Sequence, residues 1–89
     1  MVYRVVFTHH AEKAFIVLPQ KIRIRIEIAL ENFAADPFRH HDVKKVRGCP
    51  ADKSRYRMRI GEYRAIFRIF QDTLIVCVVA VGKKKNFDY

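Results

Sequence analysis

A chain of 89 residues is long enough for one hydrophobic core and too short for two, and 51% hydrophobic residues, with seven Phe and four Tyr, exclude a disordered chain. Eighteen Lys and Arg against nine Asp and Glu leave a net charge of +9, which points first to RNA or DNA as partner, ahead of an anionic membrane or an acidic protein. The longest apolar run, Leu74 to Val81, has only strand length, and no continuous basic amphipathic helix is present, so neither a membrane span nor a surface anchor is expected.

Val2 to Phe7 are β-branched and aromatic and read as an opening strand. This stretch has no apolar core followed by a small-residue cleavage site, so a cytoplasmic location is expected. Ala11, Ala14, Phe15 and Leu18 then recur at helical spacing, and Pro19 separates this helix from the next. The segment Ile22 to Ile28 alternates as a strand would. Ile22, Ile26, Ala29, Leu30 and Phe33 nevertheless form one stripe of a longer helix bounded by Pro19 and by Asp36-Pro37, and the two helices are expected to pair as a hairpin.

Beyond Pro37, Val43 to Val46 is a short strand candidate, followed by a loop through Gly48, Cys49, Pro50, Ala51 and Asp52. Arg55 to Ile60 and Tyr63 to Phe70 alternate about a Gly61-Glu62 turn. After a second turn at Gln71-Asp72, Thr73 to Val81 is nearly all apolar and is expected to be a central strand covered on both faces. The tail from Gly82 turns basic. The expected fold class is α+β in a single domain, residues 1–89: an N-terminal strand, a helical hairpin, then a mostly antiparallel sheet of about four strands. Cys49 and Cys77 are expected as free thiols.

A two-residue loop at Gly61-Glu62 pairs Ile60 with Tyr63. Counting outward sets Arg59 opposite Arg64, Arg57 opposite Ile66 and Arg55 opposite Arg68. Tyr56, Met58, Ala65 and Phe67 then share one face and all five arginines the other. Like charges directly opposite cost roughly 0.2 to 1 kcal/mol per pair. An arrangement that tolerates two such pairs is suited to a ligand that supplies the negative charge, and the planar guanidinium fork matches phosphate oxygens.

Val46-Arg47-Gly48, the core Tyr56-Arg57-Met58-Arg59-Ile60-Gly61-Glu62-Tyr63-Arg64-Ala65-Ile66-Phe67, and Val79-Ala80-Val81-Gly82-Lys83-Lys84 with a closing Tyr89 resemble the RelE branch of the RelE/ParE toxin superfamily, essentially end to end. That resemblance implies a RelE-like microbial RNase-type fold and a toxin of a type II toxin–antitoxin pair. It implies metal-free cleavage of mRNA in the ribosomal 30S A site, by attack of a 2′-hydroxyl on the adjoining phosphate. By matched motif the catalytic positions are Arg57, Arg59, Arg64, Lys84 and Tyr89, with Arg55, Arg68, Lys83, Lys85, Arg47 and Lys45 as RNA-binding residues. No cofactor is implied. The implied partner is an acidic RelB-like antitoxin, in a complex expected to be of higher order.

By the same resemblance, Arg57 and Arg59 stand where some members of the family carry lysines. A guanidinium stays protonated, so the proton acceptor is expected among Lys83, Lys84, Lys85 and Tyr89. Two other readings share the same residues: a ParE-like poison of DNA gyrase, disfavoured by the basic tail ending in Tyr, and a degenerate toxin that binds without cutting. His9-His10 and His40-His41 lack metal-ligand spacing and are read as surface residues. Tyr3, Phe7, Phe15 and Phe33 are assigned to the core. Ser54, the only serine, has no His near it in sequence.

Overall fold

The computed structural model describes residues 2–37, 42–46 and 54–86. Strand β1 (Arg4–Phe7) is followed by helices α1 (His9–Ile16) and α2 (Gln20–Ala35), then by strands β2 (Val43–Lys45), β3 (Tyr56–Ile60), β4 (Tyr63–Phe70) and β5 (Ile75–Lys83), and by a 3₁₀ turn at Lys84–Asn86. Thr8 caps α1 through its hydroxyl, which accepts from the Ala11 N–H at 3.1 Å. The alternating isoleucines of α2 resolve as a helix: Ile26 is buried and Ile22 packs against the core, while Ile24 and Ile28 are exposed.

The five strands form one sheet in the order β1-β5-β4-β3-β2. The pairings β2/β3, β3/β4 and β4/β5 are antiparallel, whereas β1 lies parallel to β5. The sheet is therefore mixed, with β5 an interior strand between β1 and β4. Both helices lie on one face, where Ala11, Phe15, Ile26, Leu30, Phe33 and Ala34 close over Met58, Ala65, Phe67, Val76, Val78 and Val81. The Phe33 and Phe67 rings meet at 5.0 Å, and Tyr3, Phe15 and Phe33 are core residues as expected, with Phe7 packed against them.

Two expectations change. The apolar strand β5 is interior to the sheet, but its helix-facing residues Val76, Val78 and Val81 are buried while Ile75, Cys77 and Ala80 on the other face are only half-buried. The strand also runs on to Lys83 rather than ending at Val81. A bulge explains how β5 keeps its apolar residues inward: Ile66 faces Ala80 but Phe67 faces Val78, so Val79 is the extra residue and Val76, Val78 and Val81 share the helix side.

The Gly61-Glu62 turn joins β3 to β4 in the predicted register. Gly61 has φ +60° and Glu62 does not share that sign, as a type II′ turn requires. A Cβ on Gly61 would also lie 3.0 Å from an Arg25 guanidinium nitrogen. Gly61→Ala is expected to add about 1 to 3 kcal/mol of backbone strain. Calorimetry should show a melting point at least about 4 °C lower; an unchanged one would mean that the turn accepts another geometry.

Candidate functional site

The open face of the sheet carries the cations. Alternation along β3 and β4 places Arg57, Arg59 and Arg64 there, and β2 adds Lys44, which pairs directly with Arg57. Arg57, Arg59, Arg64, Lys44 and Asp42 line one cleft of about 380 Å³. A second cleft, of about 610 Å³, shares Arg59 and Arg64 and continues over Gly61 and Glu62 to Lys83, Lys84 and Lys85. The Lys84 N–H donates to the Glu62 carbonyl at 2.7 Å, tying the basic tail to the hairpin turn.

Arg59 and Arg64 sit directly opposite one another, and each is held by its own acceptor. An Arg64 Nη1 donates to the Gly61 and Tyr63 carbonyls, both at 2.9 Å. Arg59 Nη2 donates to Asp42 Oδ1 at 2.8 Å, and the Arg59 N–H donates to the Asp42 carbonyl at 2.9 Å. The ion pair is exposed, at 63% and 59% for the two side chains, so it contributes only about 0 to 1 kcal/mol to stability. What it achieves is orientation of Arg59, as the two carbonyls achieve it for Arg64. Gly82, opposite Arg64, leaves the space beside that arginine without a side chain.

The remaining assigned residues divide. Arg68 lies farther along β4, its guanidinium 4.8 Å from the centre of the Phe70 ring, and four residues of strand put it about 13 Å from Arg64. Arg55 is exposed just before β3, and neither residue lines the two clefts. Lys45 pairs with Tyr56 and so lies on the opposite face from the arginines; the β2 lysine inside the cleft is Lys44. Arg47, Tyr89, His40, His41 and Cys49 lie outside the described residues. His9 and His10 are exposed on the first turn of α1, Cys77 is a free thiol, and among the described residues no three metal-ligating side chains come together.

Asp42 and Lys44 were not singled out from sequence as site residues. Their signal is the same alternation that orders the arginines, extended one strand further. The ten or so residues between β2 and β3 conceal that register, because only a short turn makes pairing countable.

Residues 5–86 match the family model described as the ParE toxin of the type II toxin–antitoxin system parDE. The chain belongs to the RelE/ParE superfamily of type II toxins. Within it the chain is RelE-like: a RelE-like toxin protein of Escherichia coli is 30% identical over 88 residues, covering 99% of this chain and 90% of that one. The archaeal RelE–RelB complex from Pyrococcus horikoshii contains a similar chain, with a TM-score of 0.78 at 26% identity, covering 94% of this chain and 97% of the other. A RelBE toxin–antitoxin complex from Mycobacterium tuberculosis gives 0.76 at 26% identity, covering 94% and 100%. The two helices and five-stranded mixed sheet are thus a RelE-like fold, and no helix among the described residues is long and apolar enough to cross a membrane.

Proposed function

We propose that this RelE-like toxin is a metal-independent endoribonuclease that enters the 30S A site of translating ribosomes in the cytoplasm and cuts the mRNA there. The observation that carries this reading is the convergence of Arg57, Arg59 and Arg64 with Lys44 in one cleft of the open face, continuous with Lys83 to Lys85. Arg59 and Arg64 hold the scissile phosphate and stabilise the charge that builds on its oxygens as the neighbouring 2′-hydroxyl attacks. Arg57 and Lys84 flank them, and Tyr89 is assigned to stack on a base. The lysines of the tail and Arg55, Arg68, Arg47 and Lys45 extend electrostatic contact along RNA.

The partner in this reading is an acidic antitoxin of the RelB kind, a proposal supported by the RelE–RelB and RelBE complexes from which the two structural relatives come. Ile24 and Ile28 lie one turn apart and exposed on α2, Ile16 and Val17 are exposed at the end of α1, and β1 and β2 are the edge strands of the sheet. A helix laid on the isoleucines and a strand added to an edge are both ways of covering such surfaces, and acidic side chains would offset the +9 charge.

Purified toxin added to 70S ribosomes programmed with mRNA is expected to cut at A-site codons, with no divalent metal beyond that needed by the ribosomes. The match to the ParE family model favours one rival, inhibition of DNA gyrase. Intact mRNA would overturn the nuclease reading, whether gyrase is inhibited or not.

A further inference from the structure

The geometry points to Asp42 as the proton acceptor for the attacking 2′-hydroxyl, an assignment that rests on the nuclease reading above. Among the described residues the cleft's other charged side chains are Lys44, Arg57, Arg59 and Arg64, all of them cations, and the three guanidinium groups have no lone pair to take a proton. Asp42 is the single carboxylate lining it among the described residues. Its place is specified twice, by the backbone bond from the Arg59 N–H to the Asp42 carbonyl and by the 2.8 Å contact of Oδ1 with Arg59 Nη2. The first continues the β2/β3 ladder beyond Val43/Met58 and so sets Asp42 beside Arg59 on the cation-bearing face. The second occupies one carboxylate oxygen and turns the group toward the arginine that grips phosphate.

In the reaction, the Asp42 carboxylate takes the proton of the 2′-hydroxyl, and the 2′-oxygen forms a bond to the adjoining phosphorus. The bond from phosphorus to the 5′-oxygen breaks. The leaving 5′-oxygen takes a proton from solvent, and Asp42 later returns its own. The products are a 2′,3′-cyclic phosphate and a 5′-hydroxyl, and no co-reactant is consumed. Arg59 has two tasks in this scheme, orienting the base and holding the phosphate, which explains why arginine is acceptable at a position that need not supply the base itself.

The competing view is that Asp42 only neutralises Arg59 until RNA displaces it. Asp42→Asn separates the two, because it removes a negative charge from a cationic cleft while keeping an oxygen that accepts from Arg59. With a proton acceptor lost, Asp42→Asn is expected to bind programmed ribosomes as tightly as wild type or more so, while single-turnover cleavage falls by about 10²-fold or more. Asp42→Glu, which keeps the carboxylate, should recover part of the rate that Asp42→Asn loses. Cleavage by Asp42→Asn at or above the wild-type rate would overturn the assignment and leave the nuclease reading standing, as would loss of ribosome binding with the slower rate. Absence of cleavage by the wild type itself would overturn both.

Discussion

Replacing Arg64 by alanine is expected to lower single-turnover cleavage of A-site mRNA by about 10² to 10³-fold, the usual consequence of removing one preorganised donor from a developing oxyanion. Arg64 is chosen because its two carbonyl acceptors, Gly61 and Tyr63, hold it in place while it lines both clefts. Its removal should leave the fold intact. The lost hydrogen bonds are exposed or partly so, and the like-charge opposition to Arg59, roughly 0.2 to 1 kcal/mol, disappears with them. Arg64→Lys should recover only part of the activity, since an ammonium is a point charge without the bidentate fork. Cleavage by Arg64→Ala at the wild-type rate, with an unchanged melting curve, would move the site away from this cleft.

The largest expected effect on stability comes from the other face of the same hairpin. Phe67 is fully buried, with the Phe33 ring 5.0 Å and the Tyr56 ring 6.0 Å from its own, and it joins α2 to the middle of the sheet. Phe67→Ala should cost about 3 to 5 kcal/mol through lost burial and the cavity left behind. A domain of this length has a total stability on the order of 5 to 13 kcal/mol. The variant should therefore lose a large share of its stability, and urea titration should show a lower midpoint at an unchanged slope. A loss below about 1 kcal/mol would show that the ring stacking between helix and sheet is not central to the fold.

These two residues, three apart on β4, show how far alternation alone can be read. From Gly61-Glu62 outward, every pairing of β3 with β4 was countable, because a two-residue loop leaves one register and the apolar residues choose which face is buried. The α2 stripe was legible for a similar reason: over sixteen residues, the stripe of Ile22, Ile26, Ala29, Leu30 and Phe33 outweighs a short local alternation. Where the period is interrupted, the reading weakens. The bulge at Val79 is invisible in a run of apolar residues, so the end of β5 and the place of Lys83 opposite Tyr63 emerged only with the structure.

The sequence by itself determined the toxin superfamily, the α+β class and the shared face of Arg57, Arg59 and Arg64, all of which rest on local periodicity and on a contiguous motif. Only the tertiary structure decided which other groups reach that face. Lys44 rather than Lys45 joins the cleft, Asp42 is set against Arg59, and Arg68 is directed to Phe70. The reason is physical: β2 meets β3 across a long connection, whose closure entropy grows only slowly with length and so selects no register, leaving the choice to ladder hydrogen bonds and to the burial of Val43 against the core.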